Sequence, residues 1–136
     1  MPDRSSLQSF AGAALRIVSG AMLACHGAQK LLGWFHSHGQ PAAWSQLWFG
    51  GIIELVCGVL IAIGLFTRPA ALLASGTMAV AYFQFHWKVQ DGGALSDERF
   101  LPIVNGGELA VVFCFVFLVF ALSGPGALSL DGRRGR

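Results

Sequence analysis

Four long apolar segments, separated by short polar stretches, constrain the fold of this chain more than any other feature of its sequence. They cover residues 9–35, 47–66, 69–87 and 103–123. A helix needs about 20 mostly apolar residues to cross the hydrocarbon core of a bilayer, and each segment is close to that length. The sequence therefore predicts an all-α integral membrane protein, a four-helix bundle forming a single domain over residues 1–136.

The scarcity of charged residues supports a lipid environment. Of the 136 residues, 54% are hydrophobic and 12% are charged, whereas an ordinary soluble domain has about 25% charged residues. Nine Lys and Arg with seven Asp and Glu are too few to cover a soluble molecule that also contains 11 Phe and 4 Trp. The composition excludes intrinsic disorder, and the absence of a long basic run argues against nucleic-acid binding. The expected partner is the lipid bilayer.

The distribution of charge predicts the direction in which the segments cross. An even number of passes places both termini on one side, together with the tight turn at Thr67, and the arginines of that side are Arg4, Arg68, Arg133, Arg134 and Arg136. The charged residues of the other side are Lys88, Asp91, Asp97, Glu98 and Arg99. The positive-inside rule then predicts cytoplasmic termini, and all four Trp, including Trp34, fall near the outer interface. The first segment is long and contains charges, so we expect it to remain as a helix rather than to be cleaved as a signal peptide.

The two halves of the chain resemble each other. Glu54 follows the pair Gly50-Gly51 near the start of the second segment, and Glu108 follows Gly106-Gly107 near the start of the fourth. This pattern suggests a two-helix unit used twice, with the two copies parallel because each has an even number of passes.

Several polar side chains fall inside the apolar segments, where charge is costly to insert. Arg16 lies deep in the first segment, on the same face as the polar residues that follow it. The polar residues expected near the outer ends of the segments are His26, Lys30, Glu54, Gln84, His86, Asn105 and Glu108. Asn105 and Glu108 are expected on one face of a continuous fourth helix. The residues Gly50, Glu54 and Gly58 form a stripe that favours close helix contact.

Two interpretations of this polar layer remain open. In the first, Lys30, Arg16 and His26 neutralise Glu54 and Glu108, and the resulting network fixes the pairing of the helices. In the second, the same residues line a pocket that opens outward between the four helices. Such a pocket would bind a small amphipathic ligand and pass protons through the histidine and the carboxylates.

Metal and disulfide chemistry have little support in the sequence. Cys25, Cys57 and Cys114 are isolated from one another. His36 and His38 lie in one polar loop without a third ligand nearby. We therefore predict no metal site and no covalently bound cofactor.

A combination of short motifs resembles the DoxX family of small bacterial and archaeal membrane proteins. The motifs are Arg16-Ile-Val-Ser-Gly20, His26-Gly-Ala-Gln-Lys30, Glu54-Leu-Val-Cys-Gly58, Thr67-Arg68 and Asn105-Gly-Gly-Glu108, and the resemblance extends over residues 15–131. It implies a four-helix protein of the cell membrane. The family takes its name from a subunit of a thiosulfate:quinone oxidoreductase, and other members are associated with quinone handling or with oxidative and thiol stress.

The resemblance implies a quinone-associated component of a membrane redox or oxidative-stress system. The expected ligand-binding residues are Arg16, His26, Lys30, Trp34, Glu54, Gln84, Asn105 and Glu108, of which the candidates for catalysis are His26, Lys30, Glu54 and Glu108. In this hypothesis Lys30 and His26 hydrogen-bond a quinone carbonyl, and Trp34 stacks on the ring. Either of the two glutamates passes protons.

The sequence leaves several questions about function open. No flavin, iron–sulfur or haem motif is present in the sequence, so electron transfer would require a redox partner subunit or direct reaction of a quinone with a small reductant. Whether the chain is an enzyme and whether it forms a homo-oligomer are not decided. The alternative function is a non-enzymatic scaffold or assembly subunit of a larger complex. A solute transporter is disfavoured, because the inner half of the segments holds few polar residues.

Overall fold

The computed structural model describes residues 4–35, 39–88 and 98–134, and these ranges are predominantly helical and contain no strand. The helices are α1 (Arg4–Leu32), α2 (Gln46–Ile63), α3 (Thr67–Ala81), α4 (Pro102–Asn105), α5 (Glu108–Ser123) and α6 (Leu130–Arg134). A π-helical turn, Tyr82–His86, continues α3, and a 3₁₀ turn, Glu98–Phe100, precedes α4. The all-α prediction is confirmed. By length and composition, α1 and α2 are long and apolar enough to cross a membrane, and α5 is a shorter apolar helix.

The boundaries of α2 follow from local chemistry. Ser45 caps its start, since the Ser45 hydroxyl accepts a hydrogen bond of 3.2 Å from the Trp48 N–H. Gly64 ends it with a φ of +70°, a left-handed conformation that favours glycine. The next helix begins at Thr67, so the turn is formed by residues 64–66 and lies earlier in the chain than the predicted turn at Thr67.

Close packing of α1 on α2 depends on four buried glycines, two on each helix: Gly20, Gly27, Gly51 and Gly58. A Cβ added to Gly27 would lie 2.3 Å from the Leu55 nitrogen, and one added to Gly58 would lie 2.4 Å from the Ala24 nitrogen. We call these four residues the glycine seam. The predicted stripe is therefore right for Gly58 and wrong for Gly50, because a Cβ on Gly50 would meet no atom within 4 Å.

Helix α3 packs against α5 by placing small side chains against large ones. Ala71 and Ala74 are fully buried in the same apolar core as Phe113 and Phe117. The Ser75 hydroxyl adds a 2.8 Å hydrogen bond to a carbonyl oxygen of α5. The main helix pairs are thus α1 with α2 and α3 with α5, and the internal repeat stays a prediction.

The predicted fourth helix, 103–123, is wrong in its first turns. Gly106 has a φ of +71° and breaks the chain into α4 and α5. The Asn105 side-chain oxygen accepts a 2.8 Å hydrogen bond from the Gly107 N–H across the break. Asn105 and Glu108 therefore do not share one face of a continuous helix.

The structure also places two of the predicted interface tryptophans. Helix α1 ends at Leu32, so Trp34 lies beyond it rather than inside the predicted segment 9–35. Trp87, expected at the outer interface, is buried against Phe100. The three cysteines are free. The predictions that involve His36, His38, Asp91, Asp97 and Arg136 fall outside the described residues.

Candidate functional site

Arg16 is fully buried, and its guanidinium donates to main-chain oxygens. Nη1 reaches the carbonyls of Ile61 at 3.0 Å and Ala62 at 3.1 Å, at the end of α2. Nη2 reaches Ala127 at 3.1 Å and Leu128 at 2.8 Å. The last carbonyls of a helix lack intrahelical partners and carry partial negative charge, so Arg16 satisfies them. The expected neutralisation of a glutamate by Arg16 is wrong.

The segment that Arg16 holds, residues 124–134, closes the same end of the molecule, and we call it the closing segment. Its Asp131 carboxylate accepts hydrogen bonds from the Phe66 N–H at 2.9 Å, the Thr67 N–H at 2.9 Å and the Thr67 hydroxyl at 3.0 Å. Desolvation raises the pKa of the Asp131 carboxyl, but these hydrogen bonds together lower it by more. The net pKa therefore lies below its usual value. The start of α3 is thereby capped by an acid from a distant part of the chain.

Arg68 repeats the arrangement of Arg16 at the end of α5. Its Nη1 donates to the Leu122 carbonyl at 2.7 Å and to the Ala121 carbonyl at 3.4 Å. The motif Thr67-Arg68 thus has a structural explanation at both residues, because one is bound by Asp131 and the other binds a helix end.

Asn105 and His86 lie together at the other end of α3. The Asn105 amide donates to the Arg99 carbonyl at 2.8 Å and to the Tyr82 hydroxyl at 3.3 Å, and that hydroxyl donates to the Phe100 carbonyl. His86 Nδ1 lies 3.4 Å from the Asn105 carbonyl oxygen. The Asn105 side chain is therefore engaged in holding the break between α4 and α5.

Three further predicted site residues, Glu108, Trp34 and His26, have different surroundings. Glu108 is exposed as the first residue of α5, where the helix N-terminus stabilises a negative charge. Trp34 is exposed beside Phe35. His26 is half-buried, with its ring edge-on to Phe113 at a centroid distance of 6.4 Å.

Lys30 and Glu54 form the ion pair that the sequence reasoning proposed as one alternative. Lys30 Nζ lies 2.6 Å from Glu54 Oε1, and the two side chains are 32% and 4% exposed. The stem of Lys30 lies against Gly51, where an added Cβ would come within 3.1 Å of Lys30 Cβ. Glu54 Oε2 is buried and has no hydrogen-bond partner among the described residues. This pair does not bind main-chain groups at a helix end, in contrast to Arg16, Arg68 and Asn105.

The pair lies on a largely apolar groove of about 640 Å³ between α2 and α3, which we call the α2–α3 groove. Its lining residues are Lys30, Gln46, Leu47, Phe49, Gly50, Ile53, Glu54, Pro69, Leu72, Leu73, Gly76, Thr77, Val80, Ala81 and Phe85. The side chain of Gln46 donates to that of Gln84 and links α2 to the π-helical turn. Along α3 the groove extends about 18 Å from Pro69 to Ala81, at about 1.5 Å per residue. Its volume is in the range of small-molecule sites.

The groove replaces the expected pocket between four helices. It brings together Lys30 and Glu54, with Gln84 bonded to its rim, and its lining does not include Arg16, His26, Trp34, Asn105 or Glu108. The ligand-binding role of all these residues stays a prediction. The sequence reasoning missed Gln46 and Gly76. Gln46 could have been found as a polar residue at the same depth as Gln84, whereas Gly76 carries no distinguishing signal.

Comparison with known proteins extends these observations. The DoxX family model matches residues 11–87, which include the ion pair and the entire groove lining. An uncharacterized protein of Haemophilus influenzae is 42% identical over 126 residues, covering 88% of this chain and 87% of its own length. An uncharacterized membrane protein of Mycobacterium tuberculosis is 33% identical over 130 residues, covering 88% and 78%. The inner membrane protein YphA of Escherichia coli is 34% identical over 83 residues, covering 60% and 56%. No solved structure matches the chain significantly.

Proposed function

Because this chain belongs to the DoxX family of membrane proteins, we propose that it binds a quinone-type ligand in the α2–α3 groove. In this proposal the chain serves as a component of a membrane redox or oxidative-stress system, and a partner subunit or a small reductant supplies the electrons. The observation that carries the proposal is the Lys30–Glu54 ion pair, which lies on a largely apolar groove.

The proposed arrangement is a four-pass bundle in a bacterial or archaeal cell membrane, with both termini in the cytoplasm. The spans are α1, α2, α3 with its π-helical turn, and α5. Large apolar side chains on their outer faces support this arrangement, for example Leu72 at 61% and Leu122 at 71% exposure. Only 28% of the most apolar window of α1, and the same share for α2, is buried within the molecule. Lipid would cover these surfaces.

The chemistry of the groove suits a ligand with a polar head and a long apolar tail. A lysine ammonium has three donors, and one of those on Lys30 is used by Glu54, so others remain for a carbonyl oxygen of the ligand. The apolar wall along α3 would bury the tail. The groove is open at Gly50 and Gly76, because a Cβ on either would meet no atom within 4 Å.

The direct test is a titration of the purified protein in lipid nanodiscs with a decyl-ubiquinone, followed by quenching of tryptophan fluorescence and corrected with empty nanodiscs. We expect saturable binding, weakened about tenfold or more in Lys30→Ala, because the hydrogen bond that this variant removes is charge-assisted and contributes about 1.5–3 kcal/mol. The absence of saturable binding, or unchanged binding in Lys30→Ala, would refute the proposal.

A pair of leucine substitutions tests the position of the ligand independently of the charged residues. Gly76→Leu fills the groove and should abolish binding, whereas Gly12→Leu, on α1 and outside the groove, also meets no neighbour within 4 Å and should leave binding intact. Equal effects of the two substitutions would place the ligand elsewhere.

The alternative is a scaffold or assembly subunit, in which the ion pair only locks α1 to α2. It is favoured by the structural roles of Arg16, Arg68 and Asn105, whose side chains bind main-chain groups. It predicts that Glu54→Gln dissociates the helices and that a stoichiometric membrane partner copurifies with the chain. A Glu54→Gln variant that stays folded and still binds a quinone contradicts it.

A further inference from the structure

We infer that the Lys30–Glu54 site recognises a hydroxyl group on its ligand and therefore prefers a hydroquinone to the corresponding quinone. This inference rests on the proposed function, since it specifies the form of the ligand that the same groove binds. It starts from one unsatisfied atom, Glu54 Oε2, which is buried and has no partner among the described residues.

The two halves of the ion pair offer different hydrogen-bonding groups. Glu54 Oε1 is occupied by Lys30 Nζ at 2.6 Å, and Oε2 remains as an acceptor. Lys30 is about one-third exposed and retains donors that Glu54 does not use. A ligand that satisfies both residues must therefore donate to Glu54 and accept from Lys30.

A single hydroxyl group does both, because its hydrogen donates to Oε2 and its lone pairs accept from Nζ. A quinone carbonyl can only accept, so it would satisfy Lys30 and leave Oε2 without a partner. Leaving a buried acceptor unsatisfied is costly, and this cost is the basis of the preference. Rotation about the last side-chain bond of glutamate is soft, which allows the carboxylate to adjust to the head group.

The rest of the groove limits which hydroxyl compound fits. Its walls are apolar along α3, and the Thr77 hydroxyl is already engaged with the Leu73 carbonyl of its own helix at 2.9 Å. The site thus offers hydrogen bonds to one end of a molecule and apolar contact to the remainder. A hydroquinone with an aliphatic tail has this distribution of polarity.

The first test compares ligands on the unmodified protein. Decyl-hydroquinone and its dimethyl ether share ring and tail, but the ether has no hydrogen to donate. Each is titrated anaerobically, by calorimetry, into the full chain in nanodiscs, with empty nanodiscs as the reference for partitioning. We expect the hydroquinone to bind about tenfold or more tightly than both the ether and the oxidised decyl-quinone.

The second test uses Glu54→Gln, which replaces a hydrogen-bond acceptor by a donor at one position. With the glutamine oxygen on Lys30, its amide group presents a donor where Oε2 presented an acceptor. We expect the preference for hydroquinone to disappear and the ether and the quinone to bind at least as well as the hydroquinone. Circular dichroism and size-exclusion chromatography establish that this variant is folded.

The outcomes separate the two proposals. Equal binding of hydroquinone, ether and quinone by the unmodified protein would overturn the hydroxyl preference and leave the proposed function intact. A Glu54→Gln variant that is folded and still prefers hydroquinone would also overturn it. No saturable binding of any of the three compounds would overturn the proposed function as well.

Discussion

Gly64 occupies a position that no other residue fits well. Its φ is +70°, and an added Cβ would lie 2.3 Å from Arg16 Nη1 and 2.4 Å from Ser129 Cβ. Gly64→Ala therefore combines left-handed strain with a clash against the buried guanidinium. We expect a loss of about 2–5 kcal/mol in the free energy of unfolding. Thermal unfolding of the purified protein in detergent measures it.

Gly126 provides the matched control at the scale of one residue. It has a similar φ of +66°, but a Cβ there would meet no atom within 4 Å. Gly126→Ala should cost only the conformational strain, about 1–2 kcal/mol. Equal losses in the two variants would show that the close approach of Arg16 to Gly64 contributes nothing.

At the scale of the helical element, the glycine seam sets the distance between α1 and α2. Gly27→Ala would place a Cβ 2.3 Å from the Leu55 nitrogen, a main-chain atom that cannot move alone. The helices must separate, so we expect a loss of about 1–3 kcal/mol, visible as a lower Tm.

Gly12, on the same helix, provides the control for Gly27→Ala. Gly12→Ala meets no neighbour within 4 Å, and alanine is the better helix former by about 1 kcal/mol. This variant should be neutral or slightly more stable. A destabilised Gly12→Ala together with an unaffected Gly27→Ala would contradict the packing of α1 on α2.

The closing segment gives an element-scale dependence on pH. The pKa of Asp131 is lowered in the folded protein, so its contribution to stability is present above the unfolded value, about 3.9. That contribution is lost as the pH falls through this value toward the folded pKa. We expect the Tm difference between the unmodified protein and Asp131→Asn to be largest at neutral pH and to shrink below about pH 4. A difference that is independent of pH would exclude this role of the carboxylate.

At the scale of the whole molecule, the proposed topology places the α1–α2 loop and residue 133 on opposite sides of the membrane. Single cysteines at these places, Ala43→Cys and Arg133→Cys, are introduced after the three native cysteines have been replaced. An impermeant maleimide should label the first variant in intact cells and the second only after permeabilisation. Labelling of both in intact cells would contradict the topology, and the reverse pattern would contradict the orientation.

The sequence predicted the helices better than it predicted their faces. Polar residues such as Lys30 and Glu54 reveal which side of a helix is turned inward, and that pair was correctly proposed. Helix α5 is apolar between Glu108 and Ser123, so nothing in its sequence distinguishes the buried Phe117 from the exposed Phe115. The break at Gly106 depends on a backbone conformation that a glycine permits but does not require. The α2–α3 groove follows from the relative placement of two helices, which hydrophobicity alone does not specify.

The hydrogen bonds of Arg16 also have a consequence for the time course of synthesis. Their acceptors at Ala127 and Leu128 lie 111 and 112 residues further along the chain. At a translation rate of about 5–20 residues per second, the guanidinium waits roughly 6–22 s for these carbonyls to be made. During that interval two of the four final acceptors of the Arg16 guanidinium do not yet exist, so water, lipid head groups or the insertion machinery must solvate its Nη2 until the closing segment is made.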